Sequence, residues 1–324
     1  MYSLTELNKL VADYMSHLDI EGEPHSLYEP IAYSLQGGGK RLRPMLTVTA
    51  CNIFSDNAPA ALPAAAAIEV FHNFTLLHDD IMDNASVRRG KPSVVGNWGT
   101  NTAILSGDAM MIYSYKLLQQ TAVEYLPSAL GCFNYTAMTV CEGQKLDLEF
   151  EDREQVGMEE YMAMIDKKTA ALLTGATIIG AIQGGADNAS RRKLFVFATE
   201  LGLAFQLQDD LLDAYGTEAQ LGKRIGGDIV EGKKTFLTIT ALKKADAAVR
   251  QTLSALLKNS TIAREEKIAQ VLDIYSSLGV RADAEREISL HFDRAIESLS
   301  SLEVDALRIE PMKELALSLL GRKN

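Results

Sequence analysis

The segment LGLAFQLQDDLLD, residues 201–213, decides the fold. Its apolar side chains Leu201, Ala204, Phe205, Leu211 and Leu212 recur at intervals of three and four, the spacing that gathers them into one stripe of an α-helix. No run of the chain alternates with period two in β-branched residues, as a half-buried strand would. Proline use agrees. All 8 prolines fall at Pro24, Pro30, Pro44, Pro59, Pro63, Pro92, Pro127 and Pro311, so residues 128–310 contain none. Proline removes a hydrogen bond and clashes inside a helix, and its absence over that span permits long helices, rich here in alanine, leucine and methionine. Gly37-Gly38-Gly39, Ser55-Asp56-Asn57 with Pro59, Arg89-Gly90-Lys91-Pro92, Gly184-Gly185, Gly222 and Gly226-Gly227 mark the joints, and Pro44 opens a helix after the first of them. No Ser/Pro/Gly-rich linker and no short-period repeat divides the chain, so residues 1–324 read as a single all-α domain.

The deciding segment ends in acid, and it has an echo. FTLLHDDIMD at 74–83 and FQLQDDLLD at 205–213 carry the same DDxxD pattern 130 residues apart. Residues i and i+4 of a helix differ by about 40° in direction, so Asp79 and Asp83 point the same way with Asp80 beside them. Asp209, Asp213 and Asp210 repeat the arrangement. Three carboxylates within ~6 Å of helix rise repel one another unless a cation or solvent offsets the charge. A merely solvated face would carry lysine or arginine and polar flanks, whereas both motifs end apolar, aromatic-containing runs, as the rim of a cavity would. Two similarly flanked copies point to a metal. No cysteine or histidine stands at ligand spacing, and His72 and His78 do not form HExxH, which disfavours zinc. Mg²⁺ retains several waters and is held by a few carboxylates together with substrate phosphates, which suits two facing aspartate clusters.

Composition excludes other classes. The 324 residues hold 32 Lys+Arg against 43 Asp+Glu, a net charge of −11, with 47% hydrophobic and 23% charged residues. That is ordinary globular composition, and its acidity disfavours nucleic acid and anionic membranes as partners. The opening residues lack a basic n-region and an apolar h-region, and the most apolar long segment, residues 169–182, is too short and too rich in Thr and Gly to span a bilayer. Cys51, Cys132 and Cys141 are odd in number and form no CxxC pair, so they read as buried spectators and not as a disulfide or zinc framework. The expectation is a soluble, cytoplasmic protein of a reducing compartment.

A phosphate-bearing substrate needs cations, and they sit beside the glycine joints. Lys40, Arg41 and Arg43 cluster at a helix start, where free backbone N–H groups also attract anions. Arg88 and Arg89 follow the first acidic motif, Lys167-Lys168-Thr169 precedes an apolar helix, and Lys223-Arg224 and Lys233-Lys234-Thr235 follow the second motif. Any one of these runs alone reads as solvated surface; their joint placement around two acidic helices does not. The stretch from Gly227 to Lys233 has P-loop glycine spacing, but Lys234 stands where Ser or Thr should hold Mg²⁺ and no buried strand precedes it, so a nucleotide-binding P-loop is rejected.

GGGKRLRP at 37–44, LLHDDIMD at 76–83, RRGKPS at 88–93, GQKLD at 143–147, KKTA at 167–170, FQLQDDLLD at 205–213, GKRIGGD at 222–228 and GKKT at 232–235 resemble, in order and spacing, the trans-isoprenyl diphosphate synthases, or polyprenyl synthetases. The resemblance runs from about residue 30 to 240. It implies an all-α, antiparallel helical bundle of the isoprenoid synthase type with a central cavity. It also implies head-to-tail condensation of isopentenyl diphosphate with a dimethylallyl, geranyl or farnesyl diphosphate, three Mg²⁺ per active site, and a homodimer, for which the apolar helix 102–118 offers an interface. Carried over residue by residue, Asp79, Asp83 and Asp209 would ligate Mg²⁺ directly, with Asp80, Asp210 and Asp213 in support. Lys40, Arg43, His72 and Arg89 would bind isopentenyl diphosphate; Arg88, Lys168, Lys223 and Lys233 would clamp the allylic diphosphate. Thr169 and Gln206 would set oxygen dipoles near the developing cation, and Gln144 and Asp147 would surround the metals at one remove. Trp98 and Asp108 are assigned to packing and helix capping, and the tail Gly321-Arg322-Lys323-Asn324 to a frayed surface end.

Product length follows from what lies below the first motif. Thr75 and Phe71 precede Asp79 by four and eight residues and stack ~6 and ~12 Å deeper on its face. Phe74, one neighbour over, is the bulky group, and in the family an aromatic here truncates the growing chain. Phe74 with Thr75, and no insertion within DDIMD, resembles enzymes making C15 or C20 products. A single aromatic here, and Leu172 where some farnesyl synthases carry a ring, lean toward C20. The rivals are a class I terpene cyclase, which would not need the second diphosphate site or a second DDxxD, a head-to-head synthase, which would show DxxxD spacing, and a non-catalytic subunit of a heteromeric prenyltransferase, which would tend to lose the acidic motifs.

Overall fold

Ser3 starts the first helix by a reciprocal cap: its hydroxyl accepts from Glu6 N–H while the Glu6 carboxylate accepts from Ser3 N–H. From there the computed structural model, which describes residues 1–37, 39, 41–217 and 224–320, is helical in nearly every element. The chain divides into two compact units, residues 1–137, 172–196 and 298–318 in one, and 138–171, 197–297 and 319–324 in the other. The sequence reads as one undivided domain because the boundaries fall inside helices, where no linker composition marks them.

The first unit holds α1 (Leu4–Ser16), α2 (His25–Gln36), α3 (Leu42–Phe54), α4 (Leu62–Met82), the short α5 (Val94–Trp98) and α6 (Thr100–Leu118). α4 is its axis, packed along α6 and against α1, α2 and α3. Ala64, Ala65, Ala66 and Ala67 are all buried and small enough for neighbouring helices to approach closely, and Ile68 is buried beside them. This helix, and not residues 169–182, is long and apolar enough to cross a membrane among the described residues, but 67% of the qualifying window is buried within the protein, which accounts for its apolarity. Gly107 of α6 permits a close approach to α4: a Cβ there would lie 2.2 Å from His78 Nε2. α3 begins at Leu42, two residues before the proline expected to open it.

One departure from the all-helical reading occurs. Val87–Arg88 and Lys91–Pro92 pair as antiparallel strands β1 and β2, with Arg88 opposite Lys91. Arg89 (φ 52°) and Gly90 (φ 73°) form the two-residue connection, both with the positive φ that a type I′ turn requires.

The second unit takes in the later part of α7 (Leu126–Asp152), then α8 (Met158–Ile165) and a π-helical turn (Asp166–Ala170) that leads into α9 (Ala171–Gln183). The later part of α10 (Asn188–Tyr215) follows, then α11 (Gly227–Glu231), α12 (Phe236–Lys244), α13 (Ala247–Lys258), α14 (Arg264–Ser277) and most of α15 (Val280–Ser300), whereas α16 (Ala306–Leu320), the last described helix, belongs to the first unit as far as residue 318. The core of the second unit joins Tyr161, Leu207, Leu211, Phe236, Leu253 and Tyr275. The buried Lys267 ammonium donates to three carbonyl oxygens, Val230, Leu257 and Asn259, using its three N–H bonds to tie the end of α11 to the end of α13.

Candidate active site

In the first unit the acidic motif closes α4. Asp79 is half-buried, Asp83 is the exposed C-terminal cap and Asp80 is buried. Asp80 does not stand alone: Arg88 Nε donates to both of its oxygens at 2.8 and 2.9 Å, and Arg88 Nη2 lies 2.8 Å from Oδ1. Arg88 stands on β1 eight residues beyond Asp80, and the chain reverses between them where Asn84 takes φ 51° after the end of α4. Tyr33 OH fastens the hairpin to α2 by donating to Pro92 O at 2.8 Å. A cavity of about 190 Å³ opens here, lined by Asn73, Leu77, Asp80, Arg88, Arg89 and Lys91 among others.

Two turns below, Arg43 of α3 donates from Nη1 to His72 Nε2 at 3.0 Å. An arginine can only donate, so His72 must accept through Nε2 and carry its proton on Nδ1. Burial, then the Arg43, Arg89 and Arg88 charges, hold His72 well below the usual imidazole range, so it is neutral at pH 7. Arg43 itself is pushed down to about 10, first by burial. Glu69, one turn before Asn73, lies near Arg43, Arg41 and Arg89; burial raises its carboxyl and those three charges oppose the rise. Arg41 (φ 45°) and Arg89 hold left-handed backbone conformations unusual for side chains of their size, and such strain concentrates at binding sites. Lys40 lies outside the described residues.

The wall beneath Asp79 is aromatic. Phe74 packs against the His78 imidazole at 4.7 Å and against Phe71 at 5.5 Å, and Phe71 stands edge-on to Phe133 at 5.4 Å. Phe71 is fully buried and Phe74 half-buried, so Phe71 backs the ring expected to block the growing chain. Thr75 spends its hydroxyl proton on His72 O at 2.8 Å.

In the second unit, Asp209 is half-buried while Asp210 and Asp213 are buried. Asp210 accepts from Tyr161 OH, from Gln206 Nε2 at 3.0 Å and from Phe236 N–H at 3.3 Å. Its carboxyl is nevertheless pushed up to about 7, by burial first and by the Asp228 charge second. Asp213 Oδ2 accepts from Asp228 N–H at 3.0 Å, and its backbone carbonyl accepts from Gly226 N–H at 2.6 Å, so it shapes the entry to α11. The π-helical turn carries Lys168, which ion-pairs with Asp147 of α7, and Thr169, whose hydroxyl donates to Gln206 Oε1 at 2.8 Å. Gly143 makes room for this turn: a Cβ there would fall 2.3 Å from Lys168 N. Lys233 pairs with Glu231 at 3.2 Å; burial works against its charge, but Glu231 and Asp228 more than offset it and raise it. Gln144 is half-buried on α7, and Lys223 lies outside the described residues.

Two side expectations change, for Asp108 and for the cysteines. Asp108 sits in the middle of α6, 4.0 Å from His78, and does not cap a helix. Cys141 is exposed and Cys132 half-buried, whereas Cys51 is buried with its thiol pushed up to about 12 by desolvation. Trp98 does pack, its ring edge-on to Tyr33 at 5.0 Å. The tail 321–324 lies outside the described residues. Glu69 and Phe133 in the first unit and Tyr161 in the second carry no sequence signal, because each meets its partners only through tertiary packing.

Among the described residues no three carboxylate, imidazole or thiolate groups gather into a ready-made metal cage. Each motif instead ties down its middle aspartate with protein donors. The donor set is all-oxygen, with Asp79 and Asp209 half-buried and Asp83 exposed. That fits Mg²⁺, which keeps its waters and takes few protein ligands, and would not suit zinc.

The sequence profile of the polyprenyl synthetase family matches residues 24–275. The chain is 39% identical over 269 residues to a short chain isoprenyl diphosphate synthase of Methanocaldococcus jannaschii, covering 83% of this chain and 81% of that one. It is 37% identical over 306 residues to a geranylgeranyl diphosphate synthase of Sulfolobus acidocaldarius, covering 92% and 90%. A crystal structure of a geranylgeranyl pyrophosphate synthase superposes with a TM-score of 0.95 at 36% identity over the whole of both chains.

Proposed function

The chain belongs to the polyprenyl synthetase family and is a trans-prenyltransferase, and on that premise we propose that it condenses isopentenyl diphosphate with allylic diphosphates to a C20 product. The carrying observation is the basic cluster around a neutral imidazole, Arg43 on His72 with Arg89 close by. A terpene cyclase binds one diphosphate and has no use for this second anion site. Arg43, His72 and Arg89, with Lys40, hold isopentenyl diphosphate. Arg88, Lys168 and Lys233, with Lys223, hold the allylic diphosphate.

Asp79, Asp83 and Asp209 would hold Mg²⁺, with Asp80, Asp210 and Asp213 keeping the motifs in shape and Asp147 and Gln144 beside them. When bound, Mg²⁺ offsets the charge that builds on the departing diphosphate. The allylic C–O bond breaks with its electron pair leaving on oxygen. The π pair of isopentenyl diphosphate closes the new C–C bond at the vacated carbon. A proton from the adjacent carbon then passes to the released diphosphate, which restores the alkene. Thr169 and Gln206 stabilise the cation with oriented dipoles, and a site that favours the separated charges over the bound substrate is what accelerates ionisation.

Diphosphate release from geranyl or farnesyl diphosphate, with and without isopentenyl diphosphate, tests the reaction. Elongation predicts release that depends on isopentenyl diphosphate; release without it, yielding cyclised hydrocarbon, would favour the cyclase. Product length is read in the same assay. Phe74→Ala should lengthen the main product by at least one C5 unit, and an unchanged distribution removes Phe74 as the floor.

We also propose a soluble, cytoplasmic homodimer. Leu105 and Ile112 share one face of α6 and are 60% and 69% exposed, which suits a self-complementary apolar contact. Leu105→Glu with Ile112→Glu should shift sedimentation from dimer to monomer.

A further inference from the structure

Four side chains of the second unit form one unbranched hydrogen-bonded series. Tyr161 OH of α8 donates to Asp210 Oδ2, Gln206 Nε2 donates to Asp210 Oδ1 at 3.0 Å, and Thr169 Oγ1 donates to Gln206 Oε1 at 2.8 Å. Each direction is forced by the one before it. In its ionised form Asp210 only accepts, so Gln206 then turns its NH₂ toward it. Its carbonyl oxygen is then the end left for Thr169, whose hydroxyl has to donate. The Thr169 proton is thereby committed inward, and its oxygen lone pairs remain for an electron-poor neighbour. Tyr161 closes the far end of the series, 2% exposed and 49 residues from Asp210 in the sequence. Phe236 N–H, the remaining donor to Asp210 at 3.3 Å, bonds the same oxygen more loosely.

We propose that Tyr161 is a positioning residue: by fixing the Asp210 carboxylate it sets the Gln206 amide and, through it, the direction in which Thr169 presents its oxygen to the allylic cation. This rests on the prenyltransferase reading and deepens it. On the π-helical turn the backbone is confined as well, because Gly143 leaves no room beside Lys168 N. The hydroxyl direction is the remaining freedom, and the series removes it.

A double-mutant cycle on the full chain decides the matter, with kcat and both KM values measured for Tyr161→Phe, Thr169→Val and the double variant. Loss of a charge-assisted hydrogen bond that orients a catalytic dipole predicts a kcat about tenfold lower for Tyr161→Phe, with KM for isopentenyl diphosphate unchanged. In the Thr169→Val background the same substitution should change kcat by less than about twofold, since no hydroxyl remains to orient. A core role alone would lower kcat by the same factor in both backgrounds, and that result overturns the proposal. If Tyr161→Phe does not fold, 3,5-difluorotyrosine at position 161 keeps the shape and makes the phenol a stronger acid. It should alter kcat only when Thr169 is present, and an unaltered kcat overturns the proposal equally. Wild-type protein that releases no diphosphate in this assay would instead remove the underlying reading, so the two failures are told apart.

Discussion

In the first acidic motif the middle aspartate, Asp80, is held by a cation, the Arg88 guanidinium, while in the second the corresponding Asp210 is held by a phenol, an amide and a backbone N–H. The third aspartates differ too. Asp83 is exposed at a helix C-terminus, where its charge opposes the helix dipole, whereas Asp213 is 1% exposed and accepts from the backbone at the start of α11. One sequence pattern thus serves two physical ends. The first is an electrostatic assembly in which charges offset one another near solvent. The second is a buried polar network that fixes geometry, and such networks are costly when any member is lost.

The comparison breaks most easily at the leading aspartates, which are proposed to do the same work on both sides. Asp79→Ala and Asp209→Ala should each lower turnover by several orders of magnitude while circular dichroism and the unfolding midpoint stay near wild type. Near-normal turnover in either variant would end the metal-clamp reading for that motif.

Stability should separate the third aspartates. Asp213→Ala leaves a backbone N–H without its buried acceptor and should cost about 1–3 kcal/mol in denaturant unfolding. Asp83→Ala removes an exposed charge from an unfavourable helix end and should stay within about 0.5 kcal/mol of wild type. Equal losses at the two positions would mean that the motifs do not differ in the way their surroundings indicate.

Helical periodicity, the proline-free span and the spacing of the aspartates were open to reading because each is a local property of the chain. The pairing of Arg88 with Asp80 was half legible. Its residues stand in one motif-rich stretch, but the contact depends on the chain reversing between them, with positive φ at Asn84, which sequence spacing alone does not display. Tyr161 was not legible at all. It sits in an ordinary apolar helix, MEEYMAMI, and acquires its partner only when α8 packs on α10. Its place in DDxxD makes Asp213 a metal supporter, yet it accepts from backbone groups 13 and 15 residues on, an arrangement set by the turn into α11. The division into two units escaped because helices run across every boundary.

The smallest expected effect is also the one in which the two regions pull in opposite directions. The His72 imidazole is neutral in the folded protein, held below its ordinary value by burial and by Arg43. As pH falls through about 6.5 the unfolded chain takes up a proton at His72 that the folded protein refuses, so the contribution of His72 to stability is present above that pH and is lost below it. Asp210 has the reverse sign. Its carboxyl is pushed up to about 7 by burial and Asp228, so the folded protein takes up a proton before the unfolded chain does. Its contribution therefore grows as pH falls from 7 toward 4 and is lost as pH rises through 7. Unfolding midpoints measured without added metal between pH 7.5 and 5 should then diverge. His72→Gln, which can still accept from Arg43, should resist acid better than wild type, and Asp210→Asn should resist it worse. Parallel pH profiles for the two variants would mean that the arginine-lined imidazole and the tyrosine-bonded carboxylate do not oppose each other, and that the contrast between the regions is one of geometry alone.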